Sequence, residues 1–229
     1  MNKHFPGSRP RYADRQEAGK ALATELQRYA DREDVVVLGL PRGGVPVAHE
    51  VAQSLHAPLD VFVVRKLGVP GHEELAMGAI ASGGVRVLNE DVVRWYQLSD
   101  TTIETVARVE GAELERRERA YRDGRAPEPL KGRVVIIVDD GLATGSSMRA
   151  AVQAARDLKP SRIIVAVPVG ASETCRALEQ VADEVVCAYT PDPFTAVGLW
   201  YDDFSQTTDE EVRRLLAASA SRSVTKRSA

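Results

Sequence analysis

Apolar residues fall along the chain in two alternating rhythms. Short runs rich in β-branched residues, Val35 to Leu40, Leu59 to Val64, Val134 to Val138, Arg162 to Val167 and Glu184 to Ala188, show little two-residue alternation. Strands covered on both faces of a parallel sheet read in this way. Between them, apolar positions recur at helical spacing. Ala18, Leu22, Leu26 and Tyr29 stripe a helix from about Asp14 to Tyr29, and Ala151, Val152, Ala155 and Leu158 stripe one from Met148 to Leu158. Further helices are predicted from Pro46 to Leu55, Ser99 to Tyr121, Ala171 to Val181 and Asp209 to Ala218. The short run Val85 to Leu88 is expected at the sheet edge. Strand and helix alternation predicts an α/β fold: a doubly wound, mostly parallel sheet of about five strands with helices on both faces.

The segments between the rhythms set the domain limits. Residues 1–13 read as a polar arm, 14–210 as one domain with a small hood at 189–206, and 211–229 as a helix end and a disordered polar tail from Ser219. From Leu67 to Met77, LGVPGHEELAM reads as a mobile loop. On the Ser99 to Tyr121 helix, Glu104 with Arg108, Glu113 with Arg117, Glu115 with Arg119 and Glu118 with Arg122 are acid-to-base pairs four apart. The basic cluster at Arg116, Arg117 and Arg119 is therefore an ordinary solvated face.

Candidate chemistry gathers where strands end. Val134 to Val138 leads into Asp139 and Asp140, then Gly141, Leu142, Ala143, Thr144, Gly145, Ser146 and Ser147, which open the next helix. Small residues and hydroxyls ahead of a helix N-terminus make an anion cradle, so acids plus cradle suggest a sugar phosphate. Val35 to Leu40 ends in Pro41, Arg42, Gly43 and Gly44, where glycines with positive φ would turn N–H groups inward, and Pro46 suits the first helical position. Arg65 and Lys66 end the Leu59 to Val64 strand, and the most aromatic stretch, Tyr189 to Phe204, follows the last one. Ligands of open α/β sheets bind at such carboxyl ends. His72 with Glu73 and Glu74 could hold a metal, but one His without a second at helical spacing more often marks a solvated loop.

The stretch VVIIVDDGLATGSS resembles the phosphoribosyl-diphosphate (PRPP) binding loop of the type I phosphoribosyltransferases. Read that way, Asp139 and Asp140 hold the ribose 2- and 3-hydroxyls and Gly141 to Ser147 wrap the 5-phosphate. Arg42, Gly43 and Gly44 stand where the family binds pyrophosphate. Lys66, with Arg65 second, stands where a basic pair and a closing loop contact the diphosphate. The resemblance implies Mg2+ as cofactor, bridging diol and diphosphate beside Asp139 and Asp140, with Asp202 a further metal candidate. It implies transfer of ribose 5-phosphate to a nitrogenous acceptor, and a homodimer. Phe194, Val197, Gly198 and Asp202 resemble the acceptor hood of the hypoxanthine-guanine branch with one extra residue, so Phe194, Trp200 and Asp202 are the acceptor-site candidates, against aromatic packing of a terminal flap. That branch carries a third carboxylate where this chain has Ala143. Either the acceptor needs no base, or Glu74, Asp192 or Asp202 supplies one, or the chain senses PRPP without turning it over. A magnesium-holding aspartate in some other nucleotide hydrolase would explain the acids but not the Thr-Gly-Ser loop, and no P-loop pattern occurs.

Composition narrows the partners. Thirty Lys and Arg against 33 Asp and Glu give 229 residues a net charge of -3, which offers no bulk basic field for nucleic acid, and no helix-turn-helix pattern or basic stripe is visible. Cys175 and Cys187 are too few for a disulfide framework and lack CxxC spacing, as expected of a reduced cytoplasmic protein. No run approaches the length of a membrane span, and MNKHFPGSRPRY lacks the apolar core of a signal peptide.

Overall fold

A computed structural model describes residues 11–227, with side chains to residue 220. In chain order the elements are α1 (Arg15–Glu25), β1 (Val35–Gly39), α2 (Gly44–Leu55), β2 (Leu59–Val61), β3 (Val64–Val69), β4 (His72–Ala81), β5 (Val85–Leu88), α3 (Glu90–Trp95) and α4 (Asp100–Arg122). They continue with β6 (Val134–Val138), α5 (Ser146–Asp157), β7 (Arg162–Val169), α6 (Ser172–Leu178), β8 (Glu184–Tyr189) and α7 (Asp209–Arg227). The expected parallel sheet is present in the order β2-β1-β6-β7-β8, every pairing parallel. Every residue of β1 and β6 is buried, which is why their sequences do not alternate. Val35, Val37, Val134, Ile136 and Ile164 face a core shared with α1, α2 and α7. Val36, Leu38, Val135, Ile137, Ile163 and Val165 face a second core under α5 and α6. Helices thus cover both faces, and strand order reverses between β1 and β6.

Three expectations need correction. The second strand stops at Val61, not Val64, and the chain then leaves the sheet. The expected mobile loop Leu67 to Met77 lies in an antiparallel hairpin of β3 and β4, turning at Pro70 and Gly71; with β5 it makes a separate three-stranded sheet. Val85 to Leu88 is therefore the edge of this small sheet. Leu67, Val69 and Met77 bury against Ile103 and Ala107 of α4, and that long-range packing orders a stretch whose glycines and charges alone suggest a loop. Finally, a tail was expected from Ser219, but α7 continues to Arg227. Residues 1–10, most of the expected arm, and 228–229 lie outside the described residues, while Tyr12 pairs with Tyr201.

Candidate active site

The strand-order reversal places the loops after β1 and β6 against each other, the position where open α/β sheets form their clefts. Gly43 and Gly44 are the contact. Neither has a positive φ, contrary to the sequence expectation; a β-carbon on Gly43 would overlap Asp140 Oδ2, and one on Gly44 would lie 2.6 Å from Val138 O and 2.9 Å from Asp139 Cα. These glycines therefore permit close approach, not a left-handed turn. The Pro41-Arg42 peptide is cis. Pro46 is the third residue of α2, not the first, still within the turn whose N–H groups have no intrahelical partner. Arg42 reaches Asp209 of α7 with Nη1 3.7 Å from Oδ1.

Asp139 and Asp140 sit half-buried at the end of β6. Burial pushes the Asp139 carboxyl well above its usual range, and the neighbouring Asp140 charge adds to this. Asp140 is raised too, by burial, against the pull of Arg15. Asp139 Oδ1 accepts the Asp140 backbone N–H at 2.9 Å. The Tyr201 hydroxyl donates to Asp140 O at 2.5 Å. Burial, then the Asp140 charge, raises the Tyr201 phenol, so it stays a donor.

Beyond the acids the loop divides. Leu142 turns inward, buried, with its N–H donated to Val169 O at 2.9 Å and its carbonyl accepting Ala171 N–H at 3.0 Å. Ala143, Thr144, Ser146 and Ser147 are on the open side, all four exposed, while Gly145 is half-buried. Gly145, at φ 69°, caps α5 without any side-chain hydrogen bond, so no N-cap side chain satisfies the first N–H groups of α5. Thr174 of α6 supports the loop from behind, donating Oγ1 to Ala143 O at 2.6 Å.

Lys66 and Arg65 occupy opposite faces of the small sheet, since neighbouring residues of a strand do. Lys66 lines a cavity with Ser146, Ser147 and Arg149 of α5 and touches Glu74, Nζ to Oε2 3.6 Å. Arg65 turns to α4 and pairs with Glu110 at 2.6 Å, away from the cradle. The hood separates its residues similarly. Trp200 is buried against Ala18, Val169 and Tyr201, so it is core. Phe194 is half-buried on that cluster. Asp202 is exposed and lies 3.5 Å from Arg11. His72, Glu73 and Glu74 are exposed, and among the described residues no three His, Cys, Asp or Glu side chains converge as a metal site.

Sequence reasoning missed three residues here. Arg15, in the first turn of α1, places Nε and Nη2 each 2.9 Å from Asp140 Oδ2. Its guanidinium lies 4.0 Å from the Phe204 ring centroid, and Phe204 stacks beside Tyr201 at 5.0 Å. Only the aromatic richness of 189–204 hinted at Tyr201 and Phe204, and nothing in the pattern marked Arg15. Val197 closes the hood on the loop: a β-carbon on Gly141 would lie 2.5 Å from Val197 Cγ1.

The family model for the phosphoribosyl transferase domain matches residues 11–199. The chain belongs to that family. Its fold is that of TT1426 from Thermus thermophilus, whose crystal structure is 44% identical and superposes with a TM-score of 0.81 over 91% of this chain and 98% of that one. Two curated relatives from Mycobacterium tuberculosis, the putative phosphoribosyl transferases Rv0571c of strain ATCC 25618 / H37Rv and MT0597 of strain CDC 1551 / Oshkosh, are each 52% identical over 201 residues. Those residues are 88% of this chain and 45% of each relative, so the chain spans less than half the length of the curated relatives it matches. Among the described residues no helix is long and apolar enough to cross a membrane.

Proposed function

We propose that the chain transfers ribose 5-phosphate from PRPP to a nitrogenous acceptor and releases pyrophosphate. The observation that carries this reading is the acidic pair Asp139–Asp140 at the strand-order reversal, packed on Gly43 and Gly44 and followed by the first N–H groups of α5, which no N-cap side chain satisfies. A ribose diol donates to two carboxylates whose ionised forms are costly in this half-buried site, so the bound diol offsets what burial takes. The 5-phosphate suits the N–H groups of Ala143 to Ser147, and Lys66 and Arg42 supply positive charge for the diphosphate. As positive charge grows on the sugar in the transition state, fixed carboxylates stabilise it electrostatically. The donor set fits a metal that arrives with the substrate: two carboxylates with no third protein ligand among the described residues leave positions for diol and diphosphate oxygens. Mg2+ there would neutralise diphosphate charge. The reading includes a cytoplasmic homodimer.

Ala143 supports a second reading, a PRPP sensor without chemistry. Of the acids that could replace a loop carboxylate, Glu74 touches Lys66 and Asp202 faces Arg11, while Asp192 is exposed in the hood. One experiment separates the readings and tests the site. Calorimetry with PRPP and Mg2+ should show tight binding, weakened by about 1.5 to 3 kcal/mol in Asp140→Asn, the worth of a hydrogen bond to a charged group. A pyrophosphate-release screen over purines, pyrimidines, orotate and small amines then follows. Unchanged affinity in both Asp139→Asn and Asp140→Asn removes the site, and binding without release for any acceptor selects the sensor.

A further inference from the structure

Cys175, in α6, and Cys187, in β8, come from elements that the sequence does not relate, yet both thiols converge on one backbone position. A β-carbon built on Gly170 would lie 3.0 Å from Cys175 Sγ and 3.3 Å from Cys187 Sγ. Both are free, and both line a surface cleft of about 430 Å3 together with Ser172, Arg176, Glu179 and Thr190. A small oxidant therefore reaches the pair from solvent, although Cys175 itself is only 7% exposed.

The neighbours of the pair matter as much. Gly170 bridges Leu142 of the acidic loop, and Ala171 N–H donates to Leu142 O at 3.0 Å. Thr174, adjacent to Cys175 in α6, donates to Ala143 O, and its methyl would lie 2.6 Å from a β-carbon on Gly145. The segment holding the first thiol is thus the segment that props the anion cradle.

We propose that Cys175 and Cys187 are an oxidative modification site, a dithiol that hydroperoxides convert to a disulfide and thiol reductants restore, coupled through Thr174 to the cradle. Cys175 is the attacking residue. Cys187 Sγ donates its proton to Tyr189 O at 3.2 Å, so that proton already has an acceptor, and its thiol neighbour and burial push Cys187 up while the same neighbour lowers Cys175. The Cys175 thiolate attacks a hydroperoxide oxygen. The O–O bond breaks, the departing oxygen takes a proton and leaves as water or alcohol, and Cys175 becomes a sulfenic acid. The Cys187 thiol then attacks that sulfur; the S–S bond forms, the S–O bond breaks, and the departing hydroxyl takes the Cys187 proton and leaves as water. Two electrons pass from the thiols to one hydroperoxide. Tying α6 to β8 shifts Thr174 relative to Ala143 and Gly145.

Hydrogen peroxide titration of the full chain, read by intact mass and by thiol labelling after denaturation, tests this. The wild type should lose both thiols and two hydrogen masses without gaining oxygen, and dithiothreitol should reverse it. Cys187→Ser should stop at a dimedone-reactive sulfenic acid on Cys175, and Cys175→Ser should leave Cys187 reduced at the same dose. Two persistent thiols in the wild type, or oxygen accumulating first on Cys187, overturns the proposal. The effect on ligand rests on the proposed PRPP site: affinity should fall about tenfold on oxidation and recover on reduction, the scale of one or two lost supporting hydrogen bonds. A disulfide with unchanged PRPP affinity overturns the coupling while leaving the thiol chemistry in place, and absent PRPP binding in the reduced protein refutes the proposed site alone.

Discussion

Arg15 and Asp140, 125 residues apart, form a two-pronged ion pair in which Nε and Nη2 both lie 2.9 Å from one carboxylate oxygen. The pair makes two adjacent acids unequal. Asp140 has a guanidinium against it, whereas Asp139 accepts the Asp140 backbone N–H, so burial raises Asp139 further. Arg15→Ala should therefore push Asp140 higher, and Arg15→Lys should restore only part of the effect because a point charge cannot make both contacts. Side-chain carboxyl carbon shifts followed by NMR against pH check it; an unmoved Asp140 midpoint in Arg15→Ala would show that solvent, not Arg15, sets its charge.

The raised acids also set the pH dependence of stability. A carboxyl whose folded pKa lies above its unfolded value of about 3.9 keeps its proton longer in the folded state, so stability falls as pH rises from there through the folded pKa. The ligand-free chain should lose stability across that window, with Asp139 the main contributor, and Asp139→Asn should flatten the loss and raise the melting temperature at neutral pH. The amide oxygen still accepts the Asp140 N–H. Thermal unfolding at several pH values decides it: an Asp139→Asn protein less stable than wild type at neutral pH would contradict the buried-charge account. The expected outcome is a variant that is more stable and binds PRPP worse, as where a site stores unfavourable electrostatics.

How much was legible follows from which interactions are local. β6 and its loop were readable because burial on both faces forces β-branched runs, and the acids and the cradle follow directly in sequence. The β3–β4 hairpin was not, since its order comes from α4, distant in sequence, and its small-sheet position put Arg65 and Lys66 on opposite faces. The roles of Gly43 and Gly44 were half-read: glycine was required, but for contact with Asp140 and Val138 instead of backbone sign. Arg15 was invisible because its partner is 125 residues away.

Gly145 should tolerate no side chain. At φ 69° a non-glycine residue costs about 1 to 2 kcal/mol, and its β-carbon would also lie 2.6 Å from Thr174 Cγ2. Gly124, at φ 76° with nothing within 4 Å, carries the backbone cost alone. Denaturant unfolding should therefore rank Gly145→Ala below Gly124→Ala, and only Gly145→Ala should weaken PRPP binding. Equal losses would mean that Thr174 yields freely and does not brace the cradle.

The two cations of β3 should part in function. Arg65→Ala removes a partly buried bond to Glu110 and should cost about 1 kcal/mol of stability with little change in PRPP affinity. Lys66→Ala should do the reverse, since its ammonium borders the cavity beside Ser146 and Ser147. A PRPP affinity that drops in Arg65→Ala alone would reverse the facing of the hairpin.

Phe204 lies beside the acids through Arg15 and Tyr201, and the acceptor side should be tested there ahead of Trp200. Trp200 is 5% exposed, its ring tilted against Tyr189 at a centroid distance of 5.3 Å, and it fills the core between α1 and β7. Trp200→Ala should thus cost about 3 to 5 kcal/mol of stability, as large core truncations do, and reduce activity only through unfolding. Phe204 is 36% exposed, lies against Tyr201 and under the Arg15 guanidinium, and closes on Gly198, where a β-carbon would be 2.9 Å from Cδ1. A flat acceptor stacked on this ring would gain about 1 to 3 kcal/mol. Phe204→Ala should raise the KM for the acceptor without unfolding the chain, and Phe204→Tyr should retain most of the activity because the face is preserved. Phe194→Ala is the comparison, since Phe194 packs on the Trp200 cluster. If Phe194→Ala alone raises the acceptor KM in a folded protein, the acceptor lies on the far side of the hood from Arg15, and the site extends from Asp140 toward the β8 end instead of toward α1.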